Sequence, residues 1–105
     1  MGIEVTAMIR VHVFAPLPKM LGLAKAYEGM VLELPVKLDT SLRTLFGQLS
    51  TQYPAFGALS DPKPGDKLRG ILVIVNGKYV PGSEYHQTPL RDGAEVYLLL
   101  PYGGG

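Results

Sequence analysis

The chain has 105 residues, 47% of them hydrophobic, which is enough for one domain with a core of its own. It contains no cysteine, which excludes disulfides, zinc-thiolate sites and a thiol nucleophile. Ten basic and nine acidic residues give a net charge of +1, and no two basic residues are adjacent, so neither a nucleic acid nor an anionic membrane is expected as a partner.

Residues 1–7 show no strand or helix pattern and are expected to form a loose leader. They lack the apolar stretch of a signal peptide. No apolar run elsewhere approaches the about 20 residues that a membrane-spanning helix needs. We therefore expect a soluble, cytoplasmic protein.

The first structured segment is predicted to be a β-hairpin. Met8–Phe14 alternates apolar and polar side chains, as a strand with one buried face does. Residues 19–29 form a connection of uncertain shape, in which a short helical turn has room. Met30–Leu38 gives the second strand, and Pro35 within it indicates an edge of the sheet because proline cannot donate to the ladder.

A helix of about three turns is predicted next. Residues 39–41, Asp-Thr-Ser, offer side-chain oxygens that cap a helix N-terminus. The apolar side chains that follow have helical spacing: Leu42, Leu45, Phe46 and Leu49. Pro54 is expected to end the helix before it.

The second half of the chain is predicted to return to β-structure. Residues 54–70 are rich in Pro, Gly, Asp and Lys and suggest a long surface loop, although Phe56 and Leu59 could pack one turn against the core. The apolar, largely β-branched run from residue 70 to residue 80 indicates an interior strand, and its Asn76-Gly77 pair indicates a hairpin turn.

A crossing segment and a last strand complete the domain. Residues 81–89 are predicted to cross the fold, and Leu90 to enter the core. Asp92-Gly93 then turns the chain into a strand over residues 95–100. The order strand, strand, helix, strand, strand predicts an α+β fold of the β-grasp type. We expect residues 8–100 to form a mixed sheet of four to five strands with one main helix across one face.

The most informative stretch is the tail, residues 101–105, Pro-Tyr-Gly-Gly-Gly. Glycine has no Cβ, so this segment can enter a channel too narrow for other residues and adopt whatever conformation the channel requires. The four peptide steps from Pro101 to Gly105 reach at most about 14 Å. This pattern favours a carrier that presents its terminal carboxylate to another protein. The alternative is an inert, floppy end.

The chain offers few catalytic groups of its own. His12 is expected on a strand surface and His86 in a loop, and neither Ser83 nor Asp92 has the context of a nucleophile or its orienting acid. The carboxylates lack metal-ligand spacing, so no metal site is expected. The tail is therefore interpreted as a substrate for other proteins.

Three stretches together carry a family resemblance: the predicted helix, residues 75–80 (Val-Asn-Gly-Lys-Tyr-Val), and residues 88–96 (Thr-Pro-Leu-Arg-Asp-Gly-Ala-Glu-Val), the last leading to Gly-Gly. The chain resembles the ubiquitin-like sulfur carriers, namely the small subunit of molybdopterin synthase and the thiamine-thiazole sulfur carrier. The family's terminal diglycine falls on Gly104 and Gly105. Gly103 departs from the family pattern, which more often has another small or apolar residue there.

The resemblance implies a chemistry and a set of partners. An adenylyltransferase similar to ubiquitin-activating enzyme would use ATP and magnesium to adenylate Gly105, and a persulfide donor would convert the adenylate to a thiocarboxylate. The acceptor would be the large synthase subunit of the pterin pathway or a thiazole synthase. The chain itself would bind no cofactor.

Docking is expected on the sheet face opposite the helix. Alternation places Arg10, His12, Phe14, Tyr97 and Leu99 there. With the tail residues Pro101 and Tyr102, the side chains of Phe14, Tyr97 and Leu99 are the predicted partner contacts. Burial of this face by loops is an alternative of equal weight.

Chain length favours a role in the pterin pathway, and three alternative functions stay open. One is the thiazole carrier, which the Val-Pro-Gly-Ser-Glu segment at residues 80–84 resembles. Another is a protein modifier joined to lysine through an isopeptide bond. The last is a non-covalent β-grasp binding module.

Overall fold

The structure is a computed structural model that describes residues 6–22, 28–61, 63 and 65–101. Its strands are β1 (Thr6–Val13), β2 (Met30–Lys37), β3 (Ser60–Asp61), β4 (Lys67–Leu68), β5 (Leu72–Val75), β6 (Lys78–Tyr79) and β7 (Glu95–Leu99). Its helices are α1 (Leu17–Met20), α2 (Leu42–Gln52) and α3 (Pro54–Gly57), together with a 3-10 helix (Gly82–Gln87).

Five strands form a mixed sheet in the order β2-β1-β7-β5-β6. The first hairpin pairs β1 with β2 over their full length, from Thr6 opposite Lys37 to Val13 opposite Met30. β7 lies at the centre, parallel to β1 and antiparallel to β5. The predicted β-grasp fold is therefore confirmed, and Pro35 lies on the edge strand as expected.

The main helix begins where its capping residue predicts. The Ser41 side chain accepts a hydrogen bond from the backbone N–H of Thr44 at 3.1 Å, which satisfies one of the free donors of the first turn. The apolar stripe of α2 is buried against the sheet: Leu42, Leu45, Phe46 and Leu49. Leu90 enters the same core with no exposed surface, as predicted.

The predicted long loop at residues 54–70 is wrong in part, because it contains a helix and two short strands. Proline at the first position of α3 starts a single helical turn, which buries Phe56 completely, as the packing of one turn predicted. Beyond it, β3 and β4 pair with each other as a small second sheet. These elements are two to four residues long, so tertiary contacts rather than periodicity determine them.

The start of β1 and the crossing segment also differ from prediction. β1 begins at Thr6 rather than Met8, because Ala7 is fully buried in phase with Ile9. Residues 6 and 7 are thus not part of a leader. The rest of the predicted leader, residues 1–5, lies outside the described residues. The crossing segment contains the 3-10 helix, which buries Tyr85 against Phe46 with ring centroids 5.1 Å apart.

Candidate partner-docking face

The side of the sheet turned away from α2 is called the helix-free face. In β1 the odd-numbered residues are buried under α2 and the even-numbered residues point to the other side. Pairing of β1 with β7 brings His12 beside Tyr97. The Phe14 and Tyr97 rings are in edge contact at 6.1 Å. The structure thus brings together Phe14, Tyr97 and Leu99 as predicted.

An open groove, called the apolar groove, runs along β7 on this face. Its floor is formed by Phe14, Ile74, Tyr97 and Leu99, and it encloses about 670 Å³. Asn76, Gly77 and Glu95 close one end. No described loop covers it, since Phe14 keeps 46% of its surface exposed. Within the described residues the groove is thus open to solvent, and its role in docking stays a prediction.

His12 and Glu95 form a polar contact at the edge of the apolar groove. The His12 ring stacks on Tyr97 with centroids 4.4 Å apart and an interplanar angle of 12°. Its Nε2 lies 2.9 Å from Glu95 Oε1. The His12 ring, bonded to Glu95, therefore packs against the Tyr97 ring in the middle of the groove floor. Arg10 lies further along the face, with its Nε 4.0 Å from Glu33 Oε1.

Sequence reasoning missed two residues of this face. Ile74 lies in the groove, and Tyr79, its cross-strand partner, is 58% exposed beside it. The unbroken apolar run of β5 hides the alternation that separates its two faces, so Ile74 gave no periodic signal. The Asn76-Gly77 turn fixes a two-residue hairpin and would have identified Tyr79 as the partner of Ile74.

The tail follows directly from the central strand. β7 ends at Leu99, and Pro101 is exposed at a bend. The other predicted tail residues, Tyr102, Gly103, Gly104 and Gly105, lie outside the described residues. Their assigned roles therefore remain predictions.

Of the groups considered for catalysis, Ser83 and His86 line one depression at the 3-10 helix, whereas His12 and Asp92 lie elsewhere. His86 is exposed in the 3-10 helix, and Asp92 Oδ1 accepts a hydrogen bond from the Met8 backbone N–H at 2.8 Å. Within the same residues, no three His, Asp or Glu side chains are grouped to hold a metal ion. Nor does any helix among them have the length and apolar character to cross a membrane.

Solved structures share this fold nearly end to end. SAMP1 from Haloferax volcanii has a TM-score of 0.67 at 20% identity over 94% of this chain and 100% of its own. Urm1 from Trypanosoma brucei has a TM-score of 0.66 at 26% identity over 98% and 100%. A putative molybdopterin converting factor subunit 1 from Pyrococcus furiosus has a TM-score of 0.62 at 18% identity over 91% and 99%.

Sequence comparison identifies the family. No curated protein sequence matches the chain. The ThiS family model, by contrast, matches residues 19–105, which include α2, the central strand and the tail. The chain therefore belongs to the ThiS family, a group of ubiquitin-like sulfur carriers and modifiers.

Proposed function

We propose that this protein carries sulfur as a thiocarboxylate on Gly105 and donates it in molybdopterin or tungstopterin biosynthesis. The observation that carries the proposal is that the family match extends through the tail to Gly105 itself. The central strand ends six residues before Gly105, so the described domain fixes the point from which the tail starts.

Gly105 needs activation because a carboxylate is a poor electrophile. An oxygen of its carboxylate attacks the α-phosphorus of ATP on the activating enzyme, with magnesium bound there, and pyrophosphate leaves. The product is an acyl-adenylate, whose leaving group is AMP. The absence of side chains on residues 103–105 suits a narrow active-site channel, since nothing but backbone must pass.

Sulfur enters from a partner's persulfide. Its terminal sulfur attacks the Gly105 carbonyl carbon and expels AMP, which gives an acyl disulfide. A second thiol of the partner then attacks the inner sulfur. The S–S bond of the acyl disulfide breaks, and the thiocarboxylate leaves with its bonding electron pair. The attacking thiol and the inner sulfur are thereby joined in a disulfide on the partner. All of these reactive groups belong to partners, in agreement with the absence of cysteine from this chain.

The helix-free face is the proposed docking surface for these partners. Phe14, Tyr97 and Leu99 form an apolar surface beside the point where the tail begins, and Pro101 and Tyr102 are proposed to add partner contacts of their own. An interface of typical size buries about 800 Å² on each partner. Docking of this face would fix the start of the tail and direct Gly105 into the partner's active site.

The pterin pathway is proposed ahead of the thiazole pathway on chain length. The Pyrococcus furiosus protein, a putative molybdopterin converting factor subunit 1, shares the fold over 91% of this chain. A protein modifier is the second candidate, because other structures of the same fold are described as small archaeal modifier proteins. In that case a lysine of a target would attack the adenylated Gly105 in place of sulfur.

Intact-mass measurement separates these functions. The protein is incubated with the activating enzyme of its source organism, ATP, magnesium, a persulfide donor and a soluble extract of the same organism, which supplies target lysines. Exchange of one oxygen for one sulfur supports the carrier, and high-mass adducts support the modifier. An unchanged mass refutes both and leaves a non-covalent module.

Two variants locate the reaction. Addition of one residue after Gly105 and deletion of Gly104 and Gly105 together should each abolish the exchange and, in cells, cofactor synthesis, because deletion of Gly105 alone would leave Gly103 and Gly104 as a new terminal diglycine. If the protein is a thiazole carrier, the wild type would still exchange oxygen for sulfur in vitro, but in cells it would restore thiazole synthesis rather than pterin synthesis. Normal exchange in either variant would show that Gly105 is not the activated residue.

A further inference from the structure

The apolar groove has an acidic end that neither the fold nor the proposed chemistry requires. Glu95 closes the groove at the opposite end of β7 from Leu99. The same Glu95 also lines an adjoining depression of about 280 Å³, called the acidic depression, together with Met8, Arg10, Glu33, Asp92 and Gly93. The two concavities therefore meet at one carboxylate.

The charges in the acidic depression do not balance. Its lining residues contribute three carboxylates, from Glu33, Asp92 and Glu95, and one guanidinium, from Arg10. Arg10 is directed to Glu33 at 4.0 Å. His12 contacts only Oε1 of Glu95. Within the described residues, Glu95 Oε2 has no hydrogen-bond partner, although its side chain is only 41% exposed.

Covering this face would remove water from Glu95. A carboxylate that loses its hydration must find a counter-charge or a donor, or binding becomes unfavourable. A partner patch that is apolar throughout would therefore dock poorly here. A patch that combines an apolar side chain with a basic one would satisfy both parts of the surface.

We propose that the docking partner inserts an apolar side chain into the apolar groove and places a lysine or arginine against Glu95 at the acidic depression. This inference rests on the proposed function, since the partner is the enzyme that activates the tail. The two parts lie at opposite ends of β7, about 13 Å apart along the strand. They therefore fix one orientation, in which the apolar part lies nearest the tail.

The orientation has a chemical purpose. A uniformly apolar patch permits several rotations of the two proteins, and only one of them points Gly105 into the active site. A charge at one end of the contact disfavours the others, because a reversed complex would leave Glu95 against apolar surface. Glu95 is in this sense a specificity-determining residue.

The test uses isosteric neutral variants. Glu95→Gln keeps a side-chain oxygen for His12, and Asp92→Asn keeps an oxygen for the Met8 N–H, so neither removes an observed hydrogen bond. Glu84→Gln, an exposed carboxylate in the 3-10 helix, is the matched control. Binding to the purified activating enzyme of the source organism is measured by calorimetry in low and high salt, and thermal unfolding confirms that each variant folds.

The expected result is a charge-specific loss. The double variant, Glu95→Gln with Asp92→Asn, should bind about five- to tenfold more weakly than the wild type at low salt. The difference should shrink to under about twofold in about 0.5 M salt, where screening removes the attraction in the wild type. The Glu84→Gln control should bind as the wild type does.

Equal binding of the double variant and the wild type at low salt would overturn the inference. That result leaves the proposed function standing if the wild type still exchanges oxygen for sulfur in the mass assay. An unchanged mass in the wild type would instead refute the proposed function, whatever the salt dependence of binding.

Discussion

Gly65 and Gly77 offer a matched pair of substitutions that isolates one tertiary contact. Both have positive φ, +91° at Gly65 and +82° at Gly77. A Cβ added at Gly65 would lie 2.5 Å from the backbone oxygen of Arg43 in the first turn of α2, whereas at Gly77 nothing lies within 4 Å. Alanine at either position meets the same backbone strain, but only at Gly65 must a neighbouring backbone move.

The expected free energies follow from these two geometries. The left-handed conformation costs an alanine about 1–2 kcal/mol. Gly77→Ala should therefore reduce the free energy of unfolding by about that amount. Gly65→Ala adds the displacement of the β3–β4 segment from α2, which by analogy with overpacking costs about 1–3 kcal/mol more. The entropy that alanine removes from the unfolded chain is common to both variants and cancels in the comparison.

Urea denaturation at equilibrium measures both variants against the wild type. The difference between them should exceed about 1 kcal/mol, with unchanged m-values that show the same surface exposed on unfolding. If the free energies of unfolding of the two variants agree within about 0.5 kcal/mol, Gly65 does not approach the Arg43 backbone as closely as the structure has it.

Three further predictions concern docking, pH and capping. Leu99→Asp should weaken partner binding about tenfold or more while the domain stays folded. As a control, Leu38→Asp changes an exposed leucine outside the apolar groove and should leave binding unchanged. Unfolding of the Leu99→Asp protein would contradict the half-exposed position of Leu99. Burial, opposed by a hydrogen bond with the Leu68 backbone, raises the pKa of Tyr85 from 10.0 to about 12. As pH rises, the unfolded chain therefore loses the Tyr85 proton first, and the free energy of unfolding falls between pH 10 and pH 12. By linkage, the wild type should lose about 1.4 kcal/mol between pH 9 and pH 11 that the Tyr85→Phe variant does not lose. Parallel profiles of stability against pH for the two proteins would refute this. Ser41→Ala should lower the free energy of unfolding by about 1 kcal/mol in urea titrations, and no loss would show that its hydrogen bond to Thr44 contributes nothing.

The sequence predicted the elements whose signals are local and long enough to repeat. α2 has a capping serine, four apolar residues at helical spacing and a proline beyond its end, so its start and extent were predictable. The tight turn at Asn76-Gly77 requires positive φ at both residues, which they show at +50° and +82°. These features depend on neighbours in sequence rather than on packing.

The features that sequence reasoning missed depend on contacts between distant segments. β3 and β4 have two residues each, so no alternation can be observed, and their pairing is stabilised by packing of Leu68 in the core. Ala7 is in phase with the buried residues of β1, but alanine is a weak strand former and gave little signal. At the candidate docking face, Phe14, Tyr97 and Leu99 were predicted by alternation. The contact between His12 and Glu95 was not, since it depends on the register of the parallel β1–β7 pairing, which alternation within each strand does not reveal.

The central position of β7 has a mechanical consequence. The strand is bonded to β1 on one side and to β5 on the other, and the tail continues from its end. A pull on the tail along the strand axis would load both ladders in shear, so that several hydrogen bonds must break at once. A pull perpendicular to the strand would instead open the hydrogen bonds one by one. Under the proposed function, a partner enzyme that draws the tail into its active site can therefore apply force to this domain without unfolding it.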